Sequence, residues 1–142
     1  MPKILIIQLK RFQTKKGKAT GQGGFMAMAY AQICQQEKVE DLIDFPLTGL
    51  DLSAYLQQQS TDEGDEYNKE TPLPPAIYDL YAVSNHYGGL NGGHYTAYGY
   101  NTLMGKWYDF DDSCVSALHS QKEVVTDAAY LLFYRRREVP ST

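Results

Sequence analysis

From Ile77 onward the sequence reads as strand after strand. Tyr78 to Val83, His94 to Tyr100, Lys106 to Phe110 and Ala129 to Arg135 are each rich in aromatic and β-branched residues and bounded by turn signals. Asn101-Thr102-Leu103-Met104-Gly105 is short enough to be a hairpin loop, which joins neighbouring antiparallel strands. Lys3 to Phe12 (KILIIQLKRF) adds a buried strand at the other end of the chain. Between them, Phe25 to Leu42 places Met26, Tyr30 and Ile33 at i, i+4 and i+7 among alanines, the spacing of an amphipathic helix. The expected fold class is α+β, dominated by an antiparallel sheet, with its helix towards the N-terminal side. The 142 residues form one domain, with a glycine- and lysine-rich loop from Gln13 to Gly24 and an acidic, proline-bearing loop from Gln57 to Pro75.

Composition removes several function classes. The longest apolar run is Ile4-Leu5-Ile6-Ile7, too short for a membrane span, and Met1-Pro2-Lys3 does not open a secretory signal. Two cysteines, Cys34 and Cys114, cannot build a disulfide framework or a cysteine-only zinc site. The chain therefore reads as soluble and intracellular, with no metal and no cofactor. A formal net charge of −4 is of the wrong sign for a nucleic-acid binder. That charge is unevenly spread. Residues 1–20 hold six bases and no acid, whereas residues 37–79 hold eleven acids against Lys38 and Lys69. The acidic stretch is either solvated loop or a face that steers a basic protein partner.

The chemistry sits between Asn85 and Asp112. Gly88-Gly89-Leu90-Asn91-Gly92-Gly93 has four glycines in six residues, which permits close backbone approach and suits passage of an extended, small-residue substrate. Folding the next two strands about Asn101 to Gly105 pairs residues whose numbers total 205 or 206. His94 then faces Asp111 or Asp112, and spacing alone does not choose between them. A carboxylate beside an imidazole fixes its tautomer and stabilises the imidazolium, the base-and-orienter half of a nucleophilic triad. The competing reading is an incidental surface ion pair, worth about 0–1 kcal/mol. His86 could line the same cleft or serve the structure, and His119 lies in a polar surface stretch.

Three blocks resemble the ubiquitin-specific proteases, cysteine peptidases with a papain-like fold. Pro2 to Phe12 is similar to that family's strand ending in Leu-Lys-Arg-Phe. Tyr78 to Val83 and Gly92-Gly93-His94-Tyr95-Thr96-Ala97-Tyr98 resemble its histidine motif. Trp107-Tyr108-Asp109-Phe110-Asp111-Asp112-Ser113 resembles its acid motif, and Ala129 to Tyr134 its closing strand. Phe45-Pro46-Leu47 and Leu50-Asp51-Leu52 fit the connecting region. The resemblance implies that the chain is the C-terminal, mostly antiparallel part of such a catalytic domain, with insertions near 13–42 and 57–75. It implies His94 as general base, Asp111 as its orienter and, more weakly, Asp112 in polarising the site. Gly92, Gly93 and Tyr95 would line the channel for the Gly-Gly end of ubiquitin. Implied partners are ubiquitin, whose basic face suits the acidic stretch, ubiquitinated proteins, and the N-terminal half of the domain. The family's nucleophile block, similar to Gly-Asn-Thr-Cys-Tyr, has no counterpart here. Cys34 reads as a packing residue and Cys114 lies off the family pattern. The expected activity is thiol-dependent deubiquitination in the cytoplasm or nucleus, with this chain inactive alone. The alternative is a non-catalytic ubiquitin-binding module or pseudoenzyme fragment. A surface that meets the other half should be unusually apolar.

Overall fold

The computed structural model describes residues 1–15, 35–56, 75–89 and 92–138. Nine strands run through them: β1 (Ile4–Gln8), β2 (Phe12–Lys15), β3 (Gln35–Lys38), β4 (Leu50–Asp51), β5 (Ile77–Gly89), β6 (Gly92–Asn101), β7 (Lys106–Asp111), β8 (Cys114–Ala117) and β9 (Ala129–Arg136). Every pairing is antiparallel. Seven strands form one sheet, ordered β1-β9-β5-β6-β7-β8 with β4 on β5, and β2 and β3 form a separate ribbon. Among the described residues the only helices are 3-10 turns at Ser53–Tyr55 and Gln121–Val124. None is long and apolar enough to cross a membrane.

Side-chain alternation along the strands sorts the sheet into two unlike faces. One cross-strand row runs Ile7, Leu132, Val83, Tyr98, Asp109, Ser116, and the neighbouring row on that face includes Leu5, Tyr134 and Leu80. This face carries the core: Tyr78, Leu80, Val83, Tyr98, Trp107, Leu132 and Tyr134 are buried, closed over by Phe45 and Val124 with Leu47, Leu50 and Leu52 packed alongside. Burying such side chains contributes about 1.5–3 kcal/mol each. The buried hydroxyls are not orphaned, because Tyr78 donates to Pro2 O at 2.9 Å and Tyr134 to Pro46 O at 2.8 Å. Burial also pushes the Tyr134 phenol up to about 12.

The other face is largely uncovered. Its rows run Ile6, Phe133, Ala82, Gly99, Tyr108, Ala117 and Gln8, Leu131, Ser84, Ala97, Phe110, Val115. On it Ile4, Ile6, Phe110 and Val115 are 44, 56, 44 and 58% exposed. The face carries exposed apolar side chains without being core.

The strand read as buried over Lys3 to Phe12 is shorter, Ile4–Gln8, and exposed on alternate residues at the sheet edge; two further expectations change. Residues 35–38 are not helical: β3 pairs with β2 from Phe12↔Lys38 to Lys15↔Gln35. The spaced residues Met26, Tyr30 and Ile33 that suggested a helix lie outside the described residues, as does Cys34. What lies inside, Gln-Gln-Glu-Lys, has no apolar stripe to hold a helix against a core. Most of the acidic 57–75 loop, through residue 74, is likewise outside. The second change is register. Asn101 pairs with Lys106, so the loop is four residues long, and the β6–β7 partners total 207. The Asn101 side chain takes over two loop amides, accepting from Leu103 N and Met104 N at 3.0 Å each, and Gly105 (φ 63°) closes the turn.

Candidate active site

β5 and β6 are the longest strands, and their shared end holds the site. Their register, Tyr87↔His94, Gly88↔Gly93 and Gly89↔Gly92, brings the glycines into cross-strand pairs. Gly88 adopts φ 93°, and a methyl group added there would approach the Gly92 carbonyl oxygen to 2.8 Å. Glycine is required by both facts. Directly after this pinched turn, β6 presents His94.

Asp111 is the last residue of β7. The observed register keeps the parity in which even positions of β6 share a face with odd positions of β7. His94 and Asp111 therefore lie on one face as diagonal neighbours, within reach of long side chains. His94 Nε2 and Asp111 Oδ1 are 2.5 Å apart. The two side chains are 49% and 51% exposed, beyond the end of the core on the same sheet face. The hydrogen bond to Asp111 and its charge, with a smaller contribution from Asp112, hold the imidazole above the ordinary histidine range.

Asp112 opens the two-residue turn between β7 and β8, whose last pair is Asp111↔Cys114. Its φ of 48° is left-handed, a conformation that aspartate tolerates better than most residues. The donor atoms of His94, Asp111 and Asp112 all lie within 4.8 Å of one another, so this trio is also where a cation could be held. Cys114 is exposed and free.

Behind Asp111 the same face carries polar groups, Asn85 and Thr96 buried and Asp109 half-buried, that the sequence did not signal as a group. Asn85 is fully buried and donates through Nδ2 to Thr96 Oγ1 at 3.4 Å. Tyr98 Oη is raised beyond the usual phenol range, first by burial and then by its hydrogen bond with Tyr87. Asp109, opposite Tyr98, is raised by burial and by the charge of Asp111. These side chains alternate with obvious apolar residues in the sequence and become a group only once the register is known.

His86 and Tyr95 are paired on the opposite face from His94. The Tyr95 ring lies 4.7 Å from the His86 ring and is 56% exposed. His86 itself is 4% exposed, so it does not line the His94 side of the cleft. Gly92 is open, with nothing within 4 Å of an added methyl group, whereas a methyl group on Gly93, itself exposed, would meet His86 Nε2 at 2.4 Å on one side of the sheet. His119 is exposed in the segment after β8.

The family described as "Ubiquitin carboxyl-terminal hydrolase" matches residues 1–134. Ubiquitin carboxyl-terminal hydrolase 4 of Rattus norvegicus is 40% identical over 144 residues, covering 100% of this chain and 12% of the rat protein. Ubiquitin carboxyl-terminal hydrolase 15 of Homo sapiens is 38% identical over 138 residues, 97% of this chain and 11% of its own length. The chain thus spans about an eighth of the length of these relatives. Among solved structures, the SAGA Ubp8/Sgf11/Sus1/Sgf73 DUB module bound to ubiquitin aldehyde has a chain that superimposes with a TM-score of 0.66 at 36% identity. The match covers 98% of this chain and 25% of that one. A yeast SAGA DUB module gives a TM-score of 0.67 at 33% identity, over 98% and 24% of the two chains.

Proposed function

The chain belongs to the ubiquitin carboxyl-terminal hydrolase family, and on that premise we propose that it is the histidine- and aspartate-bearing, C-terminal part of a thiol-dependent deubiquitinase catalytic domain. The observation that supports this most is the 2.5 Å contact between His94 and Asp111, immediately beyond the Gly92–Gly93 end of a glycine-pinched turn. The domain would extend over residues 1–142, with insertions near 13–42 and 57–75. Its cysteine would come from chain outside these residues, since no Gly-Asn-Thr-Cys-like block occurs in them. The substrates would be ubiquitin conjugates, met in the cytoplasm or nucleus where thiols stay reduced.

In this reading Asp111 accepts the Nε2–H of His94, leaving Nδ1 to exchange protons with the thiol. Thiolate attack on the last carbonyl of ubiquitin forms a carbon–sulfur bond. His94 then gives its proton to the departing lysine amine as the isopeptide C–N bond breaks. A water, deprotonated by His94, opens the thioester and releases the ubiquitin carboxylate. The raised pKa of the imidazole favours the imidazolium that pairs with a thiolate. Gly92 and Gly93 would leave room for the extended tail and Asp112 would add negative field beside His94, whereas Tyr95, on the opposite face against His86, would not line a tail on the His94 side.

The test is hydrolysis of a ubiquitin C-terminal fluorophore by the longer protein that contains this chain. His94→Ala should lower turnover by more than about a thousandfold while the fold is retained. An unaltered rate would sink the assignment of His94. The isolated chain should neither hydrolyse that substrate nor react with a ubiquitin-based thiol probe. Labelling of Cys114 that disappears in His94→Ala would overturn the external-cysteine reading. Tight ubiquitin binding by a longer protein without turnover would favour a non-catalytic binding module.

A further inference from the structure

We propose that His86 is a positioning residue for the site: its ring is a flat spacer that sets the height of the Gly93 backbone and hence the point from which His94 projects. The inference rests on the function proposed for His94. Its basis is a close approach on the face of the sheet away from His94. A methyl group built on Gly93 would lie 2.4 Å from His86 Nε2, 3.0 Å from His86 Cε1 and 2.6 Å from the Tyr87 carbonyl oxygen. The ring of His86 therefore occupies the place of a Gly93 side chain and bears on the residue directly preceding His94.

The spacer is itself immobilised from four sides. Its backbone N–H donates to Ala128 O at 2.8 Å, and its carbonyl accepts from Lys38 Nζ at 2.9 Å. Its ring meets Phe12 edge-on at 5.5 Å, Tyr95 at 4.7 Å and Tyr130 at 6.1 Å. β2, β6 and β9 thus converge on one imidazole, and Lys38 of β3 holds its backbone carbonyl. A side chain gripped this way transmits position, because close-packed neighbours pass on displacement rather than absorb it.

Nδ1 of His86 is buried without a hydrogen-bond partner, and burial followed by the Lys38 charge holds the group below the ordinary histidine range. At neutral pH the ring is uncharged and acts through shape. Phenylalanine, flat and of similar thickness, should therefore replace it. Alanine leaves a void under Gly93, and leucine is too thick and not planar.

Two measurements on His86→Ala, His86→Leu and His86→Phe test this. The first is the titration of His94 by imidazole NMR on the 142-residue chain, which needs no catalysis. In His86→Ala and His86→Leu the His94 pKa should fall towards the ordinary value as its contact with Asp111 loosens. In His86→Phe it should stay where it is in the parent. The second is turnover of the ubiquitin C-terminal fluorophore by the longer protein. His86→Ala should lower kcat by about ten- to a hundredfold, in keeping with an ångström-scale displacement of a catalytic group, with KM changed less than about threefold. His86→Phe should restore kcat. If one variant fails to fold, the other two still decide the matter. A His94 titration unmoved by folded His86→Ala or His86→Leu would overturn the inference, as would His86→Phe behaving like His86→Ala. If the longer parent protein has no activity, the functional reading fails while the titration still decides the positioning role.

Discussion

The 2.5 Å contact between His94 and Asp111 fixes the sign of one pH effect. The folded imidazole binds its proton more tightly than the unfolded one does, so between the two pKa values the folded state holds more protons and stability falls as pH rises. The contribution is complete below the unfolded value of about 6.5 and is lost as pH climbs through the raised folded value. Asp111→Asn removes the charge that creates the shift. The stability difference between parent and Asp111→Asn should be largest below pH 6.5 and shrink above neutrality, read as thermal midpoints in a pH series. NMR should show the His94 pKa of the variant moved down towards the ordinary value. A pH-independent difference, or an unmoved pKa, would contradict the pairing. Asp112 is a poorer subject for such a test. Its φ of 48° ties it to the β7–β8 turn, so a substitution there changes backbone strain along with the field at His94.

At the level of elements, Arg11 ties the sheet to the ribbon alongside Phe12 and Lys38. Arg11 is buried, and its Nε donates to Ala129 O at 3.0 Å at the start of β9. Its guanidinium also reaches Val39 O at 3.3 Å and the Asp41 carbonyl oxygen, both just past β3. Lysine has no planar fork to span three carbonyls. Arg11→Lys should therefore cost about 2–4 kcal/mol in urea unfolding, the loss of two or more charge-assisted hydrogen bonds with carbonyls left buried. A cost under about 0.5 kcal/mol would show that the ribbon is held by Phe12 and Lys38 alone. The sequence made this half of the molecule hard to read. β3 contains no apolar residue, and its pairing to Phe12–Lys15 crosses a 19-residue segment, so neither periodicity nor turn chemistry announces it. The C-terminal strands were legible because Tyr, Phe, Val and Ile alternate between glycine-marked turns. Their register was not: Asn101 entered the ladder instead of the loop, which moved the partners to a total of 207. His94 and Asp111 were still identifiable, because 205 and 207 share the same parity and the motif resemblance favours Asp111. The grouping of Asn85, Thr96 and Asp109 was invisible, since it exists only across strands.

For the whole molecule, the unlike faces of the sheet matter most. One face closes its own core, and the other displays Ile4 and Ile6 at one edge and Phe110 and Val115 near the opposite edge. Scattered exposed apolar residues are ordinary, but four on one face of one sheet, with Phe133, Leu131 and Ala97 between them, make this face apolar apart from Gln8, Ser84, Tyr108 and Arg135. Among the described residues β1 and β8 are both edge strands, so there this surface is bordered by backbone donors and acceptors without a strand partner. The chain's small negative net charge offers little repulsion between copies. Taken alone, the 142-residue chain should therefore self-associate at micromolar to millimolar concentration and bind a hydrophobic dye while folded. Ile6→Lys places a charge on both the apolar face and the β1 edge. Since Ile6 is 56% exposed, the substitution should cost little stability and shift the chain towards monomer in sedimentation velocity. Val115→Lys should do the same at the β8 edge, and the pair together should suppress dye binding more than either alone. A parent chain that stays monomeric and dye-silent would mean that the uncovered face is tolerated as ordinary surface, and the expectation that it meets further chain would lose its physical basis.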